Sequence, residues 1–160
     1  MLVGLISDTH DNLPMIRKAV QRFKWVGCDL LIHAGDFVAP FALAELLKCG
    51  IPVYGVFGNN DGERKGLKAK LRDLAAGARR ITLCEQRITI VHDETKLTAA
   101  RRRASDIIIT GHTHVPELRK GPPVVINPGE CGGWLKGKCT IATLEVDTLD
   151  VRFIDLGKRP

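Results

Sequence analysis

Aspartate, histidine and asparagine side chains stand directly after five apolar runs of this 160-residue sequence. Imidazole and carboxylate ligands together suit Zn, Mn, Fe, Co or Ni, and no cysteine joins these motifs as a structural zinc site would require. Ligand sites in open α/β sheets gather outside the carboxyl ends of the strands, so five such ends indicate one shared metal site. The polar segments are Asp8-Thr9-His10, His33-Ala34-Gly35-Asp36, Gly58-Asn59-Asn60-Asp61, His92-Asp93 and Gly111-His112-Thr113-His114.

The number and spacing of these residues favour two metal ions over one. Asp8 and His10 are two positions apart, as are His112 and His114. In an extended chain residues i and i+2 point to the same side, so each pair is expected to project into one pocket. Two ions about 3.5–4 Å apart that share a carboxylate can clamp a phosphoryl group and activate a water. The candidate ligands are Asp8, His10, Asp36, Asn59, His92, His112 and His114.

Apolar periodicity predicts the elements that must hold these residues in place. The first half alternates strand-like runs with amphipathic helical patterns, and the second half is mostly strand-like. The predicted strands are residues 2–7, 30–32, 53–57, 81–84, 88–91, 107–109, 124–126, 140–146 and 151–154. Helices are predicted from residue 11 to 27, from 40 to 50, through 67–74 and across 101–103. This order predicts an α/β or α+β fold with a mixed sheet or two packed sheets.

The composition is that of an ordinary globular protein, with 44% hydrophobic and 26% charged residues. The length predicts one domain over residues 1–160. No apolar run reaches the roughly 18 residues of a membrane span, and the N-terminus lacks the basic region of a signal peptide, so we expect a cytoplasmic protein without membrane association. The net charge of +6 fits a phosphate-bearing substrate. Five cysteines without a CxxC motif are expected to be small buried hydrophobes.

The ordered motifs resemble those of the calcineurin-like metallophosphoesterases. The matching residues are Asp8-x-His10, Gly35-Asp36, Gly58-Asn59-Asn60-Asp61, His92, Gly111-His112-x-His114 and Asn127-Pro128-Gly129. In length the chain is similar to the small single-domain phosphodiesterases of archaea and bacteria, a branch that also includes the retromer phosphoesterase-like subunit. The resemblance implies two mixed β-sheets packed as a sandwich, with helices on the outer faces to make four layers.

The resemblance also implies roles for individual residues. One ion would take Asp8, His10, Asp36 and His114, and the second would take Asp36, Asn59, His92 and His112. A hydroxide that bridges the ions together with Asp36 would attack phosphorus in line. Catalytic roles then fall on Asp36, Asn59, Asn60 and Asp61, and substrate contacts fall on Asn60 and His112. The expected cofactors are two divalent ions, with Mn favoured over Ni, Fe, Co or Zn.

Four positions depart from the pattern of this family. Asn60 stands where a histidine that stabilises or protonates the leaving oxygen is usual, and an amide cannot serve as a general acid near neutral pH. A small-molecule phosphodiester is therefore the expected substrate, with weak activity on monoesters. Asp93 and Glu94 add negative charge where a glycine and often a histidine are usual, which we expect to weaken binding of a dianionic monoester. Glu130 stands where a serine is common.

Other residues near the motifs have structural as well as functional interpretations. Asp11 is interpreted as a helix cap in preference to an acid that supports the metal ligands. Asp61 either orients Asn60 or caps the next helix. His33 is expected to be a buried hydrogen-bonding residue that orients the turn after it. Trp134 is expected at the rim of the pocket or in an oligomer contact.

Two other classes of function stay open. A catalytically idle metal-binding scaffold for protein partners, as in the retromer subunit, is less favoured because the chain keeps all seven ligand positions. A small nuclease is permitted by the net charge of +6, although the nucleases of this family carry further domains that 160 residues do not hold. Assembly into a homo-oligomer is also compatible with the sequence.

Overall fold

The computed structural model describes residues 1–158, which form ten strands and four helices. The strands are β1 (Leu2–Ile6), β2 (Leu30–His33), β3 (Val53–Gly55), β4 (Arg79–Leu83), β5 (Gln86–Ile90), β6 (Ile107–Ile109), β7 (Glu117–Arg119), β8 (Val124–Asn127), β9 (Lys138–Glu145) and β10 (Asp150–Lys158). The helices are α1 (Leu13–Val26), α2 (Pro40–Leu47), α3 (Arg64–Lys70) and α4 (Ala99–Arg103), with a 3₁₀ turn at Glu94–Lys96. None of the helices described has the length and hydrophobicity needed to cross a bilayer.

The strands form two five-stranded sheets, and both sheets are mixed. The first has the order β10-β9-β1-β2-β3. In it β1, β2 and β3 are parallel, β9 is antiparallel to β1, and β10 is antiparallel to β9. The second has the order β4-β5-β6-β8-β7, in which β5, β6 and β8 are parallel and the two edge strands are antiparallel. The predicted fold class is therefore confirmed.

The two sheets pack face to face through an apolar layer. Successive residues of a strand point to opposite faces, so Val3 and Leu5 of β1 enter this layer while Ile6 faces the helices. The second sheet contributes the β-branched residues Ile88, Ile90, Ile107, Ile109 and Ile126, each 0% exposed. Apolar β-branched side chains fit such a doubly covered sheet, and their burial holds the two sheets in a fixed relation.

Helices cover the outer face of the first sheet more fully than that of the second. The buried residues of α1 recur at helical spacing and pack against the first sheet, as do those of α2. On the second sheet, Leu97 packs over the outward-facing Val91, Ile108 and Val125, and α4 buries no residue. The four-layer arrangement is present, with the thinner cover over the second sheet.

Several predicted boundaries differ from those observed. Helix α3 ends at Lys70 because the backbone of Leu71 is extended, with φ −133° and ψ 94°. Strand β3 ends at Gly55, after which Val56 makes an isolated bridge to Ala75. Strand β7 was not predicted, because three residues at a sheet edge carry too little periodicity to detect.

The cysteines are buried at four of their five positions. Cys28, Cys49, Cys131 and Cys139 are buried free thiols, as predicted. The prediction is wrong for Cys84, which is exposed in the tight turn between β4 and β5. Its φ of 45° places the residue in the left-handed region that this turn uses.

Candidate metal centre

Loops after five strands bring the seven predicted ligands to one end of the two sheets. From the first sheet, Asp8 and His10 follow β1, Asp36 follows β2 and Asn59 follows β3; from the second, His92 follows β5, and His112 and His114 follow β6. These strands are parallel within each sheet, so the loops lie at carboxyl ends. The site therefore lies where the two sheets meet, and each sheet supplies part of it.

A first cluster of ligand atoms comprises Asp8, His10 and His114. The Nε2 atoms of His114 and His10 lie 3.5 and 3.9 Å from Asp8 Oδ1. His10 Nε2 is also 3.6 Å from Asp36 Oδ2. These separations suit atoms that share one ion with bonds of about 2.0–2.2 Å.

A second cluster of ligand atoms comprises Asp36 and His92 together with Asp8 from the first cluster, and Asn59 and His112 adjoin it. His92 Nε2 lies 3.4 Å from Asp36 Oδ2 and 2.9 Å from Asn59 Oδ1. His112 Nδ1 lies 2.9 Å from the same Asn59 oxygen. On the other side of its ring, His92 Nδ1 donates to the carbonyl oxygen of Ala34 at 2.8 Å. That hydrogen bond fixes the ring and turns Nε2 toward the cluster, as the outer partner of a metal-binding histidine does.

Unsatisfied atoms in the first cluster show that the residues fit a metal ion. Within the described chain, Asp8 Oδ1 and His10 Nε2 are buried and accept or donate no hydrogen bond. A buried polar atom without a partner costs free energy, so native structures rarely leave two of them facing each other. A divalent cation between these atoms would satisfy both. The donor set of imidazole, carboxylate and amide oxygen is also one that such cations use.

Burial and charge shift the pKa values of the central groups in opposite directions. Burial raises the pKa of the Asp8 carboxyl. Burial also opposes ionisation of Asp36, but hydrogen bonds from His92 and Asn60 together with the nearby imidazole hold its pKa below the ordinary value. For His92, burial works against protonation, while contact with Asp36 raises the pKa. The electrostatics therefore favour the ionised form of Asp36.

The backbone is left-handed at five of the seven predicted ligands. Their φ values are 51° at Asp8, 41° at His10, 61° at Asp36, 70° at His112 and 61° at His114. The expectation that Asp8 and His10, or His112 and His114, project together from extended chain is therefore wrong, although each pair does meet in the site. Tight loops aim these side chains instead. Non-glycine residues with positive φ cost conformational energy and concentrate at functional sites.

The order of the motifs and the fold match one family. Residues 1–149 match the calcineurin-like phosphoesterase superfamily domain. The chain belongs to this superfamily.

Similar proteins and solved structures cover almost the whole chain. Phosphodiesterase MJ0936 of Methanocaldococcus jannaschii is 36% identical over 169 residues, which span 98% of this chain and 99% of the relative. The solved structure of an archaeal phosphodiesterase is 35% identical and has a TM-score of 0.89, with 97% of this chain and 99% of that chain covered. The structure of a single mutant of Vps29 from Entamoeba histolytica is 21% identical and has a TM-score of 0.71, with 97% of this chain and 99% of that chain covered. At this identity the similarity shows the fold alone.

In this superfamily domain, Asp61 joins the loops that follow β2 and β3. Its buried carboxylate accepts hydrogen bonds from the backbone N–H groups of Gly58 at 2.7 Å, Val38 at 2.7 Å and Asp36 at 3.1 Å. Its interpretation as a helix cap is wrong, because Glu63 is the N-cap residue of α3. Asp61 is a positioning residue that sets the distance between two ligand-bearing loops of the phosphoesterase domain.

His33 orients the loop that carries Asp36, as predicted. Its Nδ1 accepts the N–H of Gly35 at 3.1 Å, so Nε2 carries the proton and donates to Thr9 Oγ1 at 3.2 Å. The ring stacks on Phe37 with the centroids 3.6 Å apart. Full burial lowers the pKa of His33 well below its usual value, which keeps the imidazole neutral in this role.

Asp11 does not cap the helix that follows it, contrary to the prediction. The N-cap residue of α1 is Asn12, whose side-chain oxygen accepts the N–H of Met15 at 3.3 Å. Asp11 Oδ1 instead accepts the N–H of Ala39, the residue before α2, at 2.9 Å. The carboxylate therefore ties the loop after β1 to the start of α2.

Glu130 is a residue of the phosphoesterase site whose role the sequence did not reveal. Its carboxylate is fully buried and accepts N–H groups of Trp134 at 2.6 Å and Leu135 at 3.1 Å. Glu130 Oε2 also lies 3.2 Å from Nδ1 of His114, on the side of the ring away from Asp8. His114 Nδ1 forms no hydrogen bond in this structure, so the contact is a close charge pair. A carboxylate in this place would orient the ring of a metal-binding histidine and make it a stronger ligand. The departure from serine at this position was the available signal.

We expect Glu130→Gln to weaken metal binding by about 10- to 100-fold, the usual effect of removing an outer carboxylate partner of a histidine ligand. Glutamine offers one acceptor oxygen and no charge to His114 and the backbone N–H groups of the loop. Calorimetric titration with Mn²⁺ measures the change in affinity. Glu85→Gln, on the exposed turn after β4, serves as the control and should bind as the wild type does. Equal affinities in all three proteins would contradict the role of Glu130.

The negative charges of Asp93 and Glu94 are balanced by nearby cations. Glu94 pairs with Arg102 at 2.9 Å and with Arg119. Asp93 lies 3.7 Å from Lys96 Nζ. These cations offset part of the added charge, and the weaker binding of a dianionic monoester stays a prediction.

Proposed function

We propose that this chain is a two-metal phosphodiesterase with weak activity on phosphomonoesters. The observation that carries the proposal is the position of Asp36, whose Oδ2 lies 3.6 Å from His10 Nε2 and 3.4 Å from His92 Nε2. One carboxylate thus contacts both ligand clusters, as a bridge between two ions requires. The 36% identity to Phosphodiesterase MJ0936 supports the diester as the substrate class.

The residues divide between two ions that share Asp36. Asp8, His10 and His114 would complete one coordination sphere, and Asn59, His92 and His112 would complete the other. Manganese is the first metal to test, since mixed imidazole and carboxylate ligands suit it. When bound, the ions would supply an activated water and neutralise charge on the phosphoryl oxygens.

Asn60 lies beside the bridging carboxylate and determines which esters react well. Its backbone N–H and its side-chain amide donate to the two oxygens of Asp36, each at 2.8 Å. From this place the amide can turn to donate to a phosphoryl oxygen, as His112 can from its exposed position beside Asn59. The amide releases no proton to a leaving oxygen and offers no charge to a monoester dianion. Both properties favour diesters with good leaving groups.

We expect Asn60→His to raise the rate on monoesters relative to diesters by at least about tenfold, because a protonated imidazole offers the monoester dianion a charged hydrogen-bond donor, worth about 1.5–3 kcal/mol. The ratio of kcat/KM for p-nitrophenyl phosphate and bis(p-nitrophenyl) phosphate measures the change. Asn60→Gln retains an amide and should leave that ratio close to that of the wild type. An unchanged ratio in Asn60→His, with the metal content intact, would mean that this position does not set the preference.

The proposed function is tested by initial rates on the same two chromogenic esters. Each is measured with added Mn²⁺ and with chelator, and Asp36→Ala provides the blank. The expected result is metal-dependent hydrolysis of the diester, little hydrolysis of the monoester and no activity in Asp36→Ala. If metal binds and neither ester is hydrolysed with Mn, Ni, Fe, Co or Zn, the scaffold function replaces the enzymatic one.

A further inference from the structure

A cavity of about 360 Å³ opens directly beside the first ligand cluster. Its lining residues are His10, Asn60, His114, Trp134 and Leu135. Three of these belong to the proposed metal and substrate site, and the other two are large apolar side chains from the loop between β8 and β9. A group attached to a phosphate at the metal centre can therefore reach this cavity directly.

The two apolar side chains are exposed, and the backbone that presents them is held in place. Trp134 is 51% exposed and Leu135 is 72% exposed. The buried Glu130 carboxylate accepts the N–H groups of both residues, and Trp134 Nε1 donates to the carbonyl oxygen of His10 at 3.0 Å. The indole is thus anchored to the backbone of a metal ligand. Adjacent exposed apolar side chains on an ordered loop mark a binding surface more often than scattered ones do.

The opposite side of the metal centre has a different chemical character. A cavity of about 580 Å³ beside Asn59 and His92 is lined in part by Arg64, Lys96 and Arg101. A phosphodiester that spans the centre would therefore meet cations on one side and an indole with a leucine on the other. The apolar side suits an uncharged flat group, because aromatic rings and nucleobases stack on tryptophan whatever their hydrogen-bonding edge.

We propose that Trp134 and Leu135 form a subsite for a flat aromatic group, a nucleobase or an aryl ring, on one ester arm of the substrate. This inference rests on the proposed function, since it assumes that a phosphoryl group binds at the ligand clusters. Trp134 is then a specificity-determining residue. It contacts the arm of the substrate and takes no part in the displacement at phosphorus.

The test measures binding, so that it does not depend on turnover. Phenylphosphonate and methylphosphonate differ only in the group that would enter the subsite, and neither contains an ester bond. Their dissociation constants are measured by calorimetry on the manganese-loaded protein. We expect the wild type to bind phenylphosphonate about tenfold more tightly, from the usual strength of stacking on an aromatic side chain. Trp134→Ala should lose most of this preference, and Trp134→Phe should keep part of it.

The chain offers a matched control in its other tryptophan. Trp25 is 74% exposed on α1, beside a separate cavity whose lining includes none of the seven predicted ligands. Trp25→Ala should therefore retain the full preference for phenylphosphonate. An equal preference in the wild type and Trp134→Ala overturns the proposal, as does the absence of any preference or of any binding in the wild type.

Two further comparisons identify the aromatic group and separate failure of the subsite from failure of the proposed function. Tighter binding of thymidine 5′-monophosphate than of phenyl phosphate indicates a nucleobase arm, and the reverse order indicates an aryl arm. If the diester is hydrolysed but phosphonates are not discriminated, the subsite alone is wrong. If phosphonates are discriminated through Trp134 but no diester is hydrolysed, the subsite stands and the proposed enzymatic function fails.

Discussion

Asp36→Asn is expected to lower kcat/KM for bis(p-nitrophenyl) phosphate by at least about 10³-fold, since it removes charge from the carboxylate shared by both clusters. Asparagine has nearly the same shape, so the loops around it keep their positions. The amide can offer only one oxygen where the carboxylate offers Oδ2 to the histidines and Oδ1 to the backbone of Asn60. We expect the variant to hold fewer than two ions per chain at Mn²⁺ concentrations that saturate the wild type.

Metal content by elemental analysis and steady-state kinetics on the same preparations check this expectation. Asp106→Asn is a suitable control, because Asp106 pairs with Arg87 at the amino end of β6, whereas the ligands follow the carboxyl end of that strand. It should keep both ions and full activity. Two tightly bound ions in Asp36→Asn, with activity near that of the wild type, would show that Asp36 does not bridge them.

Gly58→Ala is expected to destabilise the fold by about 2 kcal/mol or more and to impair metal binding together with it. A Cβ at this position would collide with Asp36 Oδ1 and lie 2.5 Å from the Asp36 backbone N. The loops after β2 and β3 approach each other here so closely that only a hydrogen atom fits between them. An added methyl group must push them apart, and Asn59, the next residue, then moves away from His92.

The matched control is Gly62→Ala, four positions along the same loop, where an added Cβ meets nothing within 4 Å. Denaturant unfolding gives the free energies, and calorimetric titration with Mn²⁺ gives the affinities. Gly62→Ala should resemble the wild type in both measurements. Wild-type stability and affinity in Gly58→Ala would mean that the two loops are not in contact as the structure has them.

The meeting of the seven candidate ligands at one end of the sheets could be predicted because its signal lies in the order of residue types along the chain. Each motif follows an apolar run, and parallel strands carry such positions to one edge whatever the details of the loops. The two mixed sheets were likewise predictable from alternation and from the change of pattern near residue 79. Local periodicity placed every strand and helix except β7 and left their ends uncertain, as at α3.

The loop conformations could not be predicted, because they depend on contacts between distant parts of the chain. Asp8 and His114 belong to residue types that adopt a left-handed backbone more often than most, but only a small fraction of such residues do so, and the type alone does not predict it. The partners of Asp61 and Glu130 are backbone N–H groups, which carry no residue-specific signal. Asp11 and Asn12 are adjacent, and either could cap α1 by residue type. Asp11 accepts the N–H of Ala39 instead, which leaves Asn12 as the cap.

Strand β1 lies in the middle of the first sheet, between β2 and β9. During translation β1 emerges from the ribosome early, whereas β9 is among the last strands to be made. Until residue 145 has been synthesised, one edge of β1 lacks its partner and can pair with strands of other chains. The nascent N-terminal half also lacks every histidine of the second sheet. Slow synthesis between β1 and β9 would therefore lengthen the interval in which the chain is prone to aggregate.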